Sequence, residues 1–167
     1  LADGEEITGS HCLMAVGAIP NSAGLGLEEA GVELTPSGHI KVDRVSRTSN
    51  RHVYAAGDVT GVFALASVAA MQGRVAMWHS LGDAVTPLDL RLVSSNVLTT
   101  PEVATVGLSQ KEVDAGLVRV SSVLLPLGPN ARSKMQGFTE GFVKLFCLPT
   151  TGIIVGGVVV APRASEL

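Results

Sequence analysis

The acid in NRHVYAAGDVTG, Asn50 to Gly61, is the residue that most invites a chemical reading. Asp58 follows Gly57 directly and precedes a long run of Ala, Leu and Val. An ionised carboxylate only accepts hydrogen bonds, so it selects a hydroxyl-bearing ligand such as a sugar or ribityl chain. A helix beginning near Ala64 would add free backbone amides and a positive dipole end, suited to a partly negative ligand oxygen. Val53, Tyr54, Ala55 and Ala56 read as a short buried strand ahead of the glycine. The acid then falls at the carboxyl end of a strand, the edge where open α/β sheets bind ligands. Aspartate has a simpler use in the same place, capping the turn before the helix. Spacing leaves both roles open.

Other reactive side chains offer less. His11, His39, His52 and His79 are scattered singly, with no acidic or cysteine partner at ligand spacing, so no metal site is expected. Cys12 and Cys147 form no CxxC or CxxxxC pair, and both read as small core hydrophobes in a reducing, cytoplasmic protein. Met77 and Trp78 read as packing or interface residues. NARSKMQG, with Arg132 and Lys134, has the charge to reach a phosphate or quinone, but it reads first as a solvated loop before a strand.

The elements that must position Asp58 follow from composition and pattern. The chain has 167 residues, 46% hydrophobic and 16% charged, enough for a packed core. A net charge of -3 gives no reason to expect nucleic acid or an anionic membrane as partner. The apolar run Ile153–Ala161 is too short to span a bilayer, and no signal peptide is legible. Residues 1–51 read as loops around strands at Cys12–Val16 and His39–Val42, with a favoured turn at Asp3-Gly4 and a helical turn or two in Asn21–Gly31. A helix over Ala64–Leu81, apolar on almost every face, should be buried on most sides. Gly82-Asp83 stops it and Pro87 marks a linker. Beyond that, a strand at Ala104–Leu108 runs into a helix opened by a Ser109/Glu112 capping box. Strands at Val118–Pro126, Gly141–Leu148 and Ile153–Ala161 follow, the last two joined by a turn at Pro149–Gly152, and a helix is expected to begin after Pro162. A strand, a helix and a β-meander make a small α+β domain. Both ends read as cuts in a larger protein.

RTSNRHVYAAGDVTGVFALASVAAMQGR resembles the second flavin-binding segment of the pyridine nucleotide-disulfide oxidoreductases, with Thr48, Tyr54, Ala55, Ala56, Gly57 and Asp58 in place. MAVGAIPN resembles that family's return strand from the nicotinamide domain. TTPEVATVGLSQKEV resembles the opening of its dimerisation domain, and GFVKLFCLPTTGIIVGGVVVAPRASEL that domain's central hairpin. The resemblance implies an α/β nucleotide-binding segment, residues 1–86, forming the C-terminal part of an FAD/NAD(P)-binding region. An α+β dimerisation domain with an antiparallel sheet, residues 87–167 and incomplete at its C-terminus, would follow.

By the same resemblance, Asp58 accepts a hydrogen bond from an FAD ribityl hydroxyl, and Gly57 lets the backbone come close. Ala64, Leu65, Ala66 and Ser67 place backbone amides under the pyrimidine end of the isoalloxazine, where a helix dipole tunes the reduced flavin. Gly17 lies against NAD(P)H, or serves as a tight strand exit, or does both. The family usually has Arg where this chain has Ala18, which loosens any close subfamily assignment. The redox cysteine pair, the GxGxxG loops and the His-Glu dyad belong to parts of the family's chain outside these 167 residues, so no catalytic residue is expected within them.

With DRVSRT and ALASVAAMQGR upstream, the stretch from LPLGPNARSKMQG onward most resembles actinobacterial lipoamide-dehydrogenase-like NAD(P)H:quinone reductases. The expected activity is hydride transfer from NAD(P)H to FAD and then reduction of a quinone, in a homodimer. Dihydrolipoamide dehydrogenase, or another disulfide reductase, is the alternative within the family. A non-catalytic dimerisation module is the alternative from another class.

Overall fold

The computed structural model describes residues 4–167, so the Asp3 half of the expected Asp3-Gly4 turn lies outside the described residues. The chain forms two compact units, Leu1–Leu88 and Asp89–Leu167.

Loops and one long helix make up the first unit. Helix α1 spans Ala66–Ser80. It stops at Gly82, whose φ of 89° is open to glycine at no steric cost. There the Gly82 amide donates to the His79 carbonyl and the Asp83 amide to that of Trp78, satisfying two of the last free carbonyls. Val68, Gln72, Val75 and Ala76 are the buried residues of α1. They lie at spacings of four, seven and eight, a single stripe of one helix face. The expectation of burial on most sides is therefore corrected. Met77 and Trp78, on other faces, are 60% and 48% exposed.

The expected strands of this unit do not form ladders. Cys12–Val16 is unpaired among the described residues and exposed throughout, and Cys12 is exposed with it rather than placed in a core. Apolar, β-prone residues make a strand only where a neighbouring chain takes up their amides and carbonyls. His39–Val42 and Val53–Ala56 are each reduced to one isolated bridge, Leu34 with Ile40 and Arg47 with Tyr54. Asn21–Gly31 holds turns, with the Ala30 amide bonded to the Gly26 carbonyl at 3.0 Å, and no helix.

Scattered backbone hydrogen bonds and side chains hold these loops together. Asp43 Oδ1 accepts from the amides of Val45 and Arg47, and its carboxylate pairs with the Arg47 guanidinium at 3.3 Å. The buried Thr48 hydroxyl donates toward the carbonyls of Asn50 and Val53, both at 3.0 Å. Ser49 Oγ donates to the Gly31 carbonyl and Asn50 Nδ2 to that of Ala30, tying this loop to the turn before Val32.

The second unit is a five-stranded antiparallel sheet. Its strands are β1 (Ser95–Val97), β2 (Glu102–Gly107), β3 (Ser121–Pro126), β4 (Phe142–Cys147) and β5 (Ile154–Ala161), in spatial order β1-β2-β5-β4-β3. The apolar strand β5 lies centrally, paired to β2 from Glu102↔Ala161 to Gly107↔Gly156 and to β4 on its other side. Such a strand left on an edge would template aggregation. The β4–β5 connection turns at Pro149–Thr151, where the Gly152 amide donates to the Leu148 carbonyl at 2.8 Å. Phe146 is fully buried, and Ala161 and Ala164 are the other buried apolar residues of this unit. Cys147 is half-buried, its thiol facing the Ser121 carbonyl at 3.6 Å.

Two short helices, α2 (Gln110–Asp114) and α3 (Ala131–Met135), complete the unit. The capping box forms as its spacing predicts. Ser109 Oγ accepts from the Glu112 amide, and the Glu112 carboxylate accepts from the Ser109 amide at 2.8 Å. The Ser109 amide, and then the Ser109 hydroxyl donating at 2.7 Å, hold the Glu112 carboxyl below its usual range. After Pro162 only a single 3-10 turn follows, Ala164–Glu166, anchored by Glu102 of β2.

Candidate functional site

Gly57 and Asp58 sit at a sharp turn whose backbone is held from three directions. Gly57 has φ 84° and ψ -159°, a region essentially reserved for glycine. A Cβ there would stand 3.2 Å from the Cβ of Ala69 on α1, so glycine is also what lets the turn lie against the helix. The buried Gly57 amide donates to Gln72 Oε1 at 2.8 Å. The Gly57 carbonyl accepts from both the amide and the hydroxyl of Thr60, at 2.9 and 2.7 Å. Asp58–Thr60 then makes one turn of 3-10 helix, closed by the Gly61 amide on the Asp58 carbonyl at 3.0 Å.

Gln72 and Thr60 engage both ends of the Gly57 peptide unit, but nothing among the described residues engages the carboxylate that the sequence singled out. The Asp58 side chain is exposed and makes no hydrogen bond or ion pair with the described residues. It caps neither the 3-10 turn nor α1, whose flanking residues Gly57 and Leu65 carry no side-chain cap. Thr60 closes this turn, its hydroxyl donating to the Gly57 carbonyl, a bond that an ionised carboxylate cannot make.

Helix α1 begins two residues later than expected, at Ala66 after Leu65 in an extended conformation. Ala64 and Leu65 therefore lead into the helix rather than forming its first turn. The Leu65 amide is engaged with the Phe63 carbonyl at 2.9 Å. Ala66 and Ser67 are exposed first-turn residues with no side-chain cap and no acidic neighbour in that turn. Their amides present uncompensated positive charge to a ligand oxygen. Electrostatically this end of α1 is suited to an electron-rich group.

Gly17 lies apart from this cluster. It has φ 95°, is exposed, and has open space around the position of a Cβ. The structure brings Gly57 and Asp58 together with α1 and leaves Gly17 in an exposed segment without regular secondary structure. Among the described residues no group of three or more His, Cys, Asp and Glu could hold a metal ion.

The positioning roles of four side chains escaped the sequence reading: Gln72, Thr60, Tyr54 and His79. Tyr54 Oη and His79 Nδ1 share a hydrogen bond of 2.7 Å, with the rings edge to face at 5.8 Å. His79 is thus partnered across 25 residues, a pairing that no local spacing reveals. Gln72 did leave a signal, as the polar member of an otherwise apolar stripe of α1.

Comparison with known proteins gives matches across both units. Residues 1–73 match the family model described as pyridine nucleotide-disulphide oxidoreductase, and residues 93–167 match the dimerisation domain of the same family. The chain is 54% identical over all 167 residues to an NAD(P)H dehydrogenase (quinone) of Mycobacterium tuberculosis, covering 34% of that protein. It is 39% identical over 163 residues to a mercuric reductase of Shigella flexneri, covering 97% of this chain and 28% of that one. A dihydrolipoyl dehydrogenase of Geobacillus stearothermophilus is 32% identical over 168 residues, with 99% of this chain and 36% of that protein covered. Among solved structures, the crystal structure of LpdA from Mycobacterium tuberculosis superposes with a TM-score of 0.91 at 54% identity, covering 98% of this chain and 36% of that one. The chain therefore spans about a third of the length of the relatives it matches.

Proposed function

Because the chain belongs to the pyridine nucleotide-disulphide oxidoreductase family, we propose that the whole protein is an FAD-dependent NAD(P)H oxidoreductase whose electron acceptor is a quinone. The first unit is the C-terminal part of its FAD/NAD(P)-binding region and the second its dimerisation domain. The observation that carries the reading is the Asp58 carboxylate, unpartnered and exposed on a turn that other side chains fix. An anion held out in this way has no structural duty and suits a ligand hydroxyl.

Gly57 and Asp58 would hold the ribityl end of FAD, and the amides of Ala66 and Ser67, with Ala64 and Leu65 leading in, would favour its pyrimidine edge. Gly17 would receive NAD(P)H, its missing side chain leaving room for close approach. When bound, FAD supplies the two-electron relay between NAD(P)H and the quinone. The residues of this chain bind and orient it, and the positive end of α1 favours its electron-rich form. The quinone assignment is supported by the 54% identity to a protein named for that acceptor, against 39% and 32% for the mercuric reductase and the dihydrolipoyl dehydrogenase. The dimerisation-domain match supports a homodimer, as do the exposed apolar side chains of edge strand β3, Val123, Leu124 and Leu125. Its two free cysteines fit a reducing compartment, the cytoplasm.

Two experiments on the full-length protein test this. Asp58→Ala removes a hydrogen bond to a charged acceptor, so FAD affinity should fall by about 10- to 100-fold with the fold retained. Unchanged affinity would remove Asp58 from the site. Steady-state turnover with menadione or benzoquinone should exceed turnover with lipoamide or glutathione disulfide, and the reverse order would move the protein to the disulfide branch.

A further inference from the structure

Burying a carboxamide in an apolar stripe is costly unless it is used. Gln72 is 6% exposed, in line with Val68, Val75 and Ala76 on the buried face of α1. Its Oε1 accepts the Gly57 amide, and no buried side-chain nitrogen or oxygen among the described residues lacks a partner. Ala69, three residues earlier on the same face, touches the position of a Gly57 Cβ. One helix face therefore contacts the glycine twice, once by packing and once by a hydrogen bond.

We propose that Gln72 is a positioning residue for the flavin site, fixing the Gly57 peptide so that Asp58 is aimed at the ribityl chain. The proposal rests on the flavin reading above. The Asp58 side chain has no hydrogen bond of its own, so its direction is inherited from the backbone on either side. That backbone is set by Gln72 at the Gly57 amide and by Thr60 at the Gly57 carbonyl. With Gln72 replaced by an apolar residue, the Gly57 amide is left buried without an acceptor, and the peptide must rotate to find one. Rotation there swings Asp58 away from its ligand. The acceptor matters rather than the amide group, so glutamate keeps an oxygen for the Gly57 amide, though at the cost of burying a carboxyl group in the stripe.

The test is FAD titration of the full-length apoprotein, with Gln72→Met, Gln72→Asn and Gln72→Glu made alone and in an Asp58→Ala background. Gln72→Met should weaken FAD binding about tenfold. Gln72→Asn, which withdraws the acceptor by one methylene, should do the same and serves if the methionine variant does not fold. Gln72→Glu, which keeps the acceptor, should bind FAD more tightly than either, while its buried carboxyl lowers the unfolding temperature. In the Asp58→Ala background the methionine and asparagine changes should cost no further affinity, because Gln72 acts through Asp58. A tenfold loss repeated in that background, or no loss in either, overturns the proposal. A purely structural role would lower the unfolding temperature equally in both backgrounds without this loss of additivity. Wild-type protein that binds no FAD overturns the flavin reading, and this proposal with it.

Discussion

In the second unit four strand pairings satisfy the backbone with backbone, and side chains are left to pack. In the first unit two isolated bridges and scattered backbone hydrogen bonds stand in place of ladders, and the side chains of Asp43, Thr48, Ser49, Asn50, Thr60 and Gln72 add bonds of their own to the backbone. A ladder repeats, so losing one side chain leaves its register intact. A loop pinned by single hydroxyls and amides has no such redundancy. It does allow a backbone shape that no ladder permits, such as Gly57 at φ 84° with an acid directly after it. Ligand-binding residues gather on such segments for this reason.

The sharpest test of that contrast is a core truncation in the sheet. Phe146→Ala opens a cavity at a fully buried site and should destabilise the second unit by about 3–5 kcal/mol. Denaturant titration followed by amide exchange should show β4 and β5 losing protection while the amides around Thr48 and Gly57 keep theirs. Loss of both together would join the two units into one cooperative whole.

Thr48→Val probes the other side with an isosteric change. It removes a buried hydroxyl that bonds the carbonyls of Asn50 and Val53, and should cost about 1–3 kcal/mol. The loss should appear as faster exchange of the Val53 and Ala55 amides, both of which bond back to residues 46–50. An unchanged exchange pattern would show that the loop is held by packing instead.

The smallest effect is a pH dependence in the sheet unit. Glu102 accepts from the Ser165 hydroxyl at 2.6 Å and the Ser165 amide at 3.0 Å. These bonds, with the nearby Arg163 charge as a lesser cause, hold its carboxyl below the usual range. A carboxyl depressed in the folded state favours folding above its unfolded pKa, and the contribution fades as pH falls through the folded value. The Ser165 amide should therefore exchange faster, relative to its intrinsic rate, only on the acid side of the ordinary carboxylate range. Glu102→Gln should abolish that dependence. An unaltered acid response in this variant would assign it to another group.

The same contrast governs what the sequence disclosed. In the sheet unit each expected strand formed within a few residues of its expected limits, because alternating apolar residues and turn residues are local signals of ladder geometry. The capping box at Ser109 and Glu112 was legible for the same reason, two residues at fixed spacing. In the first unit the strands expected at Cys12–Val16 and Val53–Ala56 carry the right residues, but pairing depends on what lies beside them. The Gly57-Asp58 pair was legible as a turn with an acid. Its supports were not, because Gln72 lies 15 residues from Gly57 and His79 lies 25 from Tyr54.

The order β1-β2-β5-β4-β3 also sets a timetable for synthesis. The strand that joins the two halves of the sheet leaves the ribosome after the other four. Until β5 emerges, β1 and β2 can pair with each other and β3 and β4 likewise, as two separate antiparallel units with unfilled inner edges. Contact between Glu102 and Ala161 closes a loop of nearly 60 residues, the kind of non-local step that slows folding. During that interval the inner edges of β2 and β4 are open to any extended chain nearby. A nascent chain stalled before Ile154 is thus the species of this protein most in need of a chaperone.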